Sequence, residues 1–342
     1  MQCNCGLESA KADFGPLLLR IPSARLPSGN TASIAVLAEI LPRRRRMRIE
    51  LIVKPSSVEE VRSGVEKLRL GGHEVRPRVT FDPGDACRFA AEAAPEADLV
   101  IAAGGDGTVN EVVNGLFEGA EGCGRMPRLG IVPLGTANDL AKGLGIPADD
   151  PEAALAAAVA GTAWCVDVPR VNGRHFLNVS TGGFGAEATD ETSDELKKVM
   201  GPLAYLVTGV RKFVRLEPRR ARFACGGEVL HDGEFLIFAV GNAHRTGGGV
   251  NITVEAEMDD RLLDVCIVEA MGHVEFARLA PQLRAGNHVD HPRVTYRKVR
   301  SLTVDADEAL TVNADGEPVT ARRFEYAFAP RRLTLMVPEP QR

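Results

Sequence analysis

The stretch that most limits what this chain can fold into is residues 99–117, LVIAAGGDGTVNEVVNGLF. It opens on five apolar residues between Asp98 and a glycine turn, which reads as a buried strand of a sheet covered on both faces. Gly104, Gly105 and Gly107 strip side chains from around one carboxylate, Asp106, so backbone N–H groups can approach an anion. Thr108, followed three residues later by Glu111, has the form of a capping box and predicts a helix starting there. Val109, Val112, Val113, Leu116 and Phe117 give that helix its apolar face. Strand, glycine turn and helix N-terminus form a phosphate-binding arrangement, because the helix end presents unpaired N–H donors and partial positive charge. A glycine turn alone also serves as a plain tight turn in many α/β proteins. The carboxylate inside it discriminates. Phosphates repel Asp106 unless a divalent cation lies between, so the pattern predicts metal–nucleotide chemistry.

The surrounding sequence supplies the sheet. Residues 49–53 predict a first strand ended by Pro55, and Ser57 with Glu60 can cap a helix whose face is Val58, Val61, Val65 and Leu68. Residues 75–81 predict a second strand and the alanine-rich 85–94 a helix. Alternating strands and helices mean a parallel, doubly wound sheet, whose ligands sit beyond the carboxyl ends of its strands. A further buried strand, 129–132, ends at Pro133 and leads into Gly135, Thr136, Asn138 and Asp139 at the same edge. For Asn138 an ordinary helix cap is the stronger reading. Two polar, glycine-containing turns at adjacent strand ends nevertheless favour one shared site.

Residues 1–46 do not share this pattern. They carry seven basic and three acidic side chains, net +4 in a chain of net charge −5, and read as a disordered extension or as sequence upstream of a start at Met47. A basic membrane-binding arm is the alternative. No run approaches the roughly 18 apolar residues of a membrane span, and the seven scattered cysteines read as reduced thiols of a cytoplasmic protein. An acidic chain without a basic, aromatic-studded stripe argues against nucleic acid as a partner. From about residue 167 the pattern turns to short β-like runs (175–180, 221–225, 234–240, 262–268, 294–296 and 301–305) with glycine turns, which predicts an antiparallel, sandwich-like second domain. The expected organisation is an extension 1–46, a nucleotide-binding domain 47–166 and a β-rich domain 167–342. Between residues 211 and 222, Arg211, Lys212, Arg215, Arg219, Arg220 and Arg222 face only Glu217. That reads as a solvated helix face or as a membrane-docking patch, at about 1 kcal/mol per basic residue.

GGDGTVNEVVNG followed by PLGTANDLA resembles the bacterial diacylglycerol kinase-like lipid kinases, a group related to sphingosine and ceramide kinases. The resemblance continues through VDV at 166–168, GN and GGG between 241 and 249, EAEMDDRLLDV at 255–265 and NADGEP at 313–318. NAD kinases and phosphofructokinases share the glycine turn, but these later motifs look like the lipid-kinase branch. The resemblance implies an ATP- and Mg²⁺-dependent lipid kinase, diacylglycerol its leading acceptor, at the cytoplasmic face of the membrane. Other lipid alcohols, or a silent lipid- or nucleotide-binding protein, are the alternatives; a homodimer is compatible with it. It implies that Gly104, Gly105, Asp106, Gly107, Thr108, Val109 and Asn110 hold the nucleotide phosphates, with Thr80 and Thr136 also touching ATP. Glu317 is implied as general base, and Asp106 and Asp139 as the acidic network around the catalytic Mg²⁺. A structural Mg²⁺ is implied on the Asp260 carboxylate and the carbonyls of Glu257 and Leu262.

Two positions depart from the family. An Asn-Pro-x-Ser-Gly loop is replaced by Lys54, Pro55, Ser56, Ser57 and Val58, which sets a side chain where backbone would meet phosphate. A glycine after Asp259 and Asp260 is replaced by Arg261, where a left-handed backbone costs ~1–2 kcal/mol. Asp315-Gly316, just before Glu317, is also a strong hairpin-turn signal.

Overall fold

Apolar runs joined by amphipathic helices satisfy their backbones and bury their faces only as parallel strands with helices packed on them. The computed structural model describes residues 46–183, 217–243 and 250–338. The N-terminal extension therefore lies outside the described residues. Strands β1 (Arg48–Val53), β2 (Glu74–Val79), β3 (Leu99–Gly104) and β4 (Arg128–Pro133) run parallel in the order β2-β1-β3-β4. Helices α1 (Val58–Leu70), α2 (Asp85–Ala93) and α3 (Asp106–Cys123) are the crossovers. Every residue of β3 is buried, which explains why the run reads as continuous rather than alternating. Two short helices, α4 (Asp139–Gly143) and α5 (Pro151–Ala160), lead to β5 (Thr162–Val166).

Helices α2 and α3 cross closely because of Gly115 and Gly119, one turn apart on α3. A Cβ on either would overlap the carbonyl oxygen of Cys87 or of Ala91. These glycines serve packing. The ones that open α3 have a different purpose.

The second half is antiparallel: β6 (Pro169–Val171), β7 (Arg174–His175), β8 (Val179–Gly182), β9 (Arg219–Cys225), β10 (Glu228–Gly241), β11 (Leu263–Glu269), β12 (Val294–Val299), β13 (Leu302–Ala314) and β14 (Glu317–Phe328). The long strands β10 and β13 each pair with β9 along their first part and with β8 along their last. The sheet thereby folds over on itself around Phe223, Phe235 and Phe238, whose rings meet edge to face at 5.2–5.6 Å. Along β11, Leu263, Val265 and Ile267 enter that core, while Cys266 and Val268 face helix α6 (His273–Ala285) and its Phe276, Leu279 and Leu283.

The last strand, β15 (Leu333–Val337), leaves the second sheet and inserts between β4 and β5 of the first, parallel to β4 and antiparallel to β5. The first sheet is therefore mixed at one edge, and the described residues form one compact unit.

Candidate functional site

In the order β2-β1-β3-β4 the chain steps from β1 to one side and then returns to the other, so β1 and β3 border a topological switch point. In open α/β sheets the crevice that takes a ligand lies beyond the carboxyl ends of the strands at such a point. The Thr80 N–H donates to Val53 O at 3.0 Å, which sets Thr80 against the end of β1. In the loop after β1, Ser57 N–H donates to Lys54 O at 3.0 Å and Val58 is helical at φ −60°. The Val58 side chain packs on the core. The missing glycine of this loop thus costs no backbone strain.

Helix α3 starts earlier than its sequence predicts. Gly105, extended at φ −88° and ψ −175°, is the N-cap, and no side chain caps it. Thr108 lies within the first turn, where its side chain covers Gly104. The Glu111 carboxylate accepts instead from Gly84 N–H at 3.1 Å. The capping box is therefore not formed; its two side chains fix the loop and the approach of α2. Gly107 is exposed, and a Cβ built on it meets nothing within 4 Å. A glycine there costs about 1 kcal/mol of helix propensity with no protein neighbour to require it.

The second glycine turn closes on the first. Asn138, left-handed at φ +50°, accepts from Gly135 N–H at 3.0 Å, and its own Nδ2 donates to Gly135 O at 2.8 Å. That clamp presses Gly135 onto Gly105, where an added Cβ would lie 2.5 Å from the Gly105 Cα. Asn138 is a clamp rather than the ordinary cap its sequence suggests, and Thr136 beside it is exposed. Asp106 accepts from the Asp139 and Leu140 N–H groups at 3.3 and 3.4 Å. Burial first, then the charge of Asp139, pushes the Asp106 carboxyl above its usual range, against the pull of these N–H donors. A cation on this carboxylate pair would relieve both effects, so the residues fit one. Among the described residues no three His, Cys, Asp or Glu side chains converge on a metal position. A cation here would complete its shell with phosphate oxygens and water.

A downstream turn reaches the same region. Asp315 (φ +49°) and Gly316 (φ +97°) form the two-residue turn between β13 and β14. The Asp315 carboxylate accepts from the N–H groups of Leu177, Asn178 and Val179 at 2.6, 3.1 and 3.0 Å. Burial outweighs those donors and pushes it up to about 6, and the charge of Asp106 acts in the same direction. Glu317 follows directly. Its Oε2 lies 3.2 Å from Arg174 Nη2, which also donates to Asn110 Oδ1 at 3.3 Å.

Arg174 is carried there by a docked hairpin. Asn110 and Asn114, one turn apart on α3, both donate to His175 O at 3.0 and 3.1 Å, while His175 N–H donates to Asn114 Oδ1 at 3.0 Å. The His175 ring stacks on Phe117 with centroids 4.2 Å apart; burial, with Arg170 nearby, pushes it down to about 4, so it is neutral. Asn110 is buried, and its side chain is turned to this hairpin rather than to the crevice. Val109 is also buried in the core. Of the predicted phosphate-binding residues, these two offer the crevice no side chain.

The second acidic cluster is arranged differently. Asp260 Oδ1 accepts from Leu262 N–H at 2.8 Å, and its Oδ2 lies 3.6 Å from Lys298 Nζ. Lys298 also donates to Glu255 O at 2.5 Å and lies 4.0 Å from the buried Asp264 Oδ2. With an ammonium against its one predicted carboxylate, the set Glu257, Asp260 and Leu262 does not fit a second divalent cation. Arg261 is left-handed at φ +62°, as feared from its sequence, but its N–H and Nε both hold the buried Asp167 carboxylate at 2.9 and 2.8 Å. Arg332 Nε holds the same group at 2.8 Å. In the sequence Asp167 stands within VDV at 166–168 without a role being given to it, and nothing there singles out Arg174.

The described part of the basic run is β9 rather than a helix face, and its arginines are paired. Arg219 contacts Glu308, Arg220 contacts Asp232 and Asp307, and Arg222 contacts Asp232, at 3.2–4.0 Å. Arg211, Lys212 and Arg215 lie outside the described residues, as does the GGG of 247–249. Among the described residues no helix is long and apolar enough to cross a membrane.

Both halves of the chain match known protein families. Residues 51–171 match the diacylglycerol kinase catalytic domain, and residues 178–337 match the YegS C-terminal NAD kinase beta sandwich-like domain. The "Probable lipid kinase YegS-like" of Xanthomonas oryzae pv. oryzae is 39% identical over 85% of this chain and 96% of its own. Its Pseudomonas aeruginosa counterpart is 42% identical over 83% and 92%. A crystal structure of a diacylglycerol kinase from Bacillus anthracis str. Sterne superposes with a TM-score of 0.72 at 26% identity, covering 86% of this chain and 98% of that one. The chain belongs to the diacylglycerol kinase catalytic-domain family and, within it, to the YegS-like lipid kinases.

Proposed function

We propose that this chain transfers the γ-phosphoryl group of ATP to the hydroxyl of a membrane lipid, with diacylglycerol as acceptor and phosphatidic acid as product. The observation that carries the reading is the shared Arg174 nitrogen, on which Glu317 meets Asn110 of the glycine segment. A carboxylate from far downstream thus stands beside the helix end that suits phosphate. A lipid hydroxyl is too weak an acid to ionise at neutral pH, and Glu317 takes its proton, a contribution of ~10²–10⁴-fold. The N–H groups around Gly104, Gly105 and Gly107 and the start of α3 hold the phosphates, flanked by Thr80 and Thr136. Asp106 and Asp139 hold Mg²⁺, which when bound neutralises charge on the phosphate oxygens. The family likeness and the two glycine loops in contact support this division of roles. The protein works peripherally at the inner face of the membrane, where its substrate lies.

The test is label transfer from γ-labelled ATP to a lipid extract presented in vesicles, with the product identified by mass. A phosphorylated lipid appears, and Glu317→Gln lowers its rate by at least ~10²-fold while ATP binding by calorimetry is unchanged. Failure of any lipid to take the label, or an undiminished rate in Glu317→Gln, overturns the reading. A labelled lipid other than phosphatidic acid moves the acceptor to another lipid alcohol.

A further inference from the structure

Arg174 belongs to none of the motifs that identify the family site, yet it sits where the two halves of that site meet. Its backbone is set by a built contact: two asparagines of α3 read both the N–H and the C=O of its neighbour His175. Its guanidinium spans from the buried Asn110 to Glu317, whose side chain is 35% exposed. Its Nε is buried and has no hydrogen-bond partner among the described residues. An exposed ion pair contributes little to stability. This pair differs in that one partner is anchored through α3, so the position of the other is dictated by that helix.

We infer that Arg174 is a positioning residue for phosphoryl transfer: it fixes the Glu317 carboxylate over the first turns of α3. The inference rests on Glu317 being the base. A carboxylate on a hairpin tip samples rotamers, and a misplacement of about 1 Å at a reacting group costs on the order of 10²-fold in rate. The guanidinium limits that freedom through one nitrogen, Nη2, which donates to the Asn110 amide oxygen and forms an ion pair with the Glu317 carboxylate; a lysine ammonium keeps the charge but not the same reach and geometry. Arg174 moves no proton and forms no bond to the transferred group.

The experiment is a double-mutant cycle on lipid phosphorylation with radiolabelled ATP, sensitive enough to read residual rates. Arg174→Gln lowers kcat by about 10- to 100-fold with ATP affinity unchanged by calorimetry, and Arg174→Lys recovers part of the loss. In the Glu317→Gln background the further change Arg174→Gln costs less than about twofold, because the group it positions is gone. A merely structural role predicts the opposite: the same penalty in both backgrounds, with a lowered melting temperature. That result, or full activity in Arg174→Gln, overturns the inference. Should Arg174→Gln fail to fold, Arg174→Lys carries the cycle. If the wild-type protein labels no lipid, the kinase reading itself falls and takes this inference with it. If Glu317→Gln is inactive and Arg174→Gln fully active, only the inference falls.

Discussion

Two acidic clusters in this molecule solve the same electrostatic problem in opposite ways. At the switch point, Asp106 lies partly buried beside Asp139, and what offsets its charge are backbone N–H groups at 3.3 and 3.4 Å. In the β domain, Asp260 and the buried Asp264 have the ammonium of Lys298 at 3.6 and 4.0 Å, and Tyr296 donates to Asp264 at 2.7 Å. The first cluster opens onto a crevice bordered by an exposed glycine; the second is filled by the chain itself. Carboxylates alone therefore do not mark a metal site. What distinguishes them is what lies against the carboxylate: backbone N–H groups at Asp106, the Lys298 ammonium at Asp260.

The largest effect that follows is at the open cluster. Asp106→Asn removes a charge proposed to hold a cation, and lipid phosphorylation should fall by at least ~10²-fold with the melting temperature within a few degrees of wild type. A variant that keeps its rate and its Mg²⁺ requirement would put the cation elsewhere and dissolve the contrast. A smaller effect tests the filled cluster. Lys298→Met leaves Asp264 buried beside Asp260 without its ammonium, at a cost of about 1–2 kcal/mol once the partial exposure of the lysine is allowed for. Millimolar Mg²⁺, without nucleotide, should then raise the melting temperature of Lys298→Met and leave wild type comparatively unmoved, since only the variant has room for a cation. An equal Mg²⁺ response in the two proteins would restore the metal to the wild-type cluster.

How much of this was legible beforehand follows from the range of the interactions. Strands β1 to β4 and their helices were readable because each is a local apolar pattern covered on both faces, and the Asp315-Gly316 turn because its residue types demand positive φ. Strand β14 escaped notice: its sequence, EPVTARRFEYAF, fully buries only Phe324 and Tyr326, with Val319, Ala321 and Phe328 packed in part. Helix α6 was hidden by Pro281 within it. The return of β15 to the first sheet depends on a strand order no local pattern encodes. In the site, the glycines and carboxylates announced themselves, whereas Arg174 and Lys298 matter only for where distant strands deliver them. Glu111 misled for the same reason, since Gly84 N–H from the loop before α2 outcompetes the helix end for its carboxylate.

The smallest effect bears on why the first cluster is open at all. Gly107 sits in the first turn of α3 with nothing within 4 Å of an added Cβ and without positive φ, so alanine fits the apo protein. Its substitution should stabilise the fold by about 0.5–1 kcal/mol through helix propensity. The same methyl group stands where phosphate must approach the N–H groups, and ATP binding should weaken by about tenfold, or 1.4 kcal/mol. Melting and calorimetry on Gly107→Ala read the two signs separately. Stability up and affinity down means the space is reserved for a ligand. If both rise, the glycine is incidental and the phosphates lie elsewhere along the crevice.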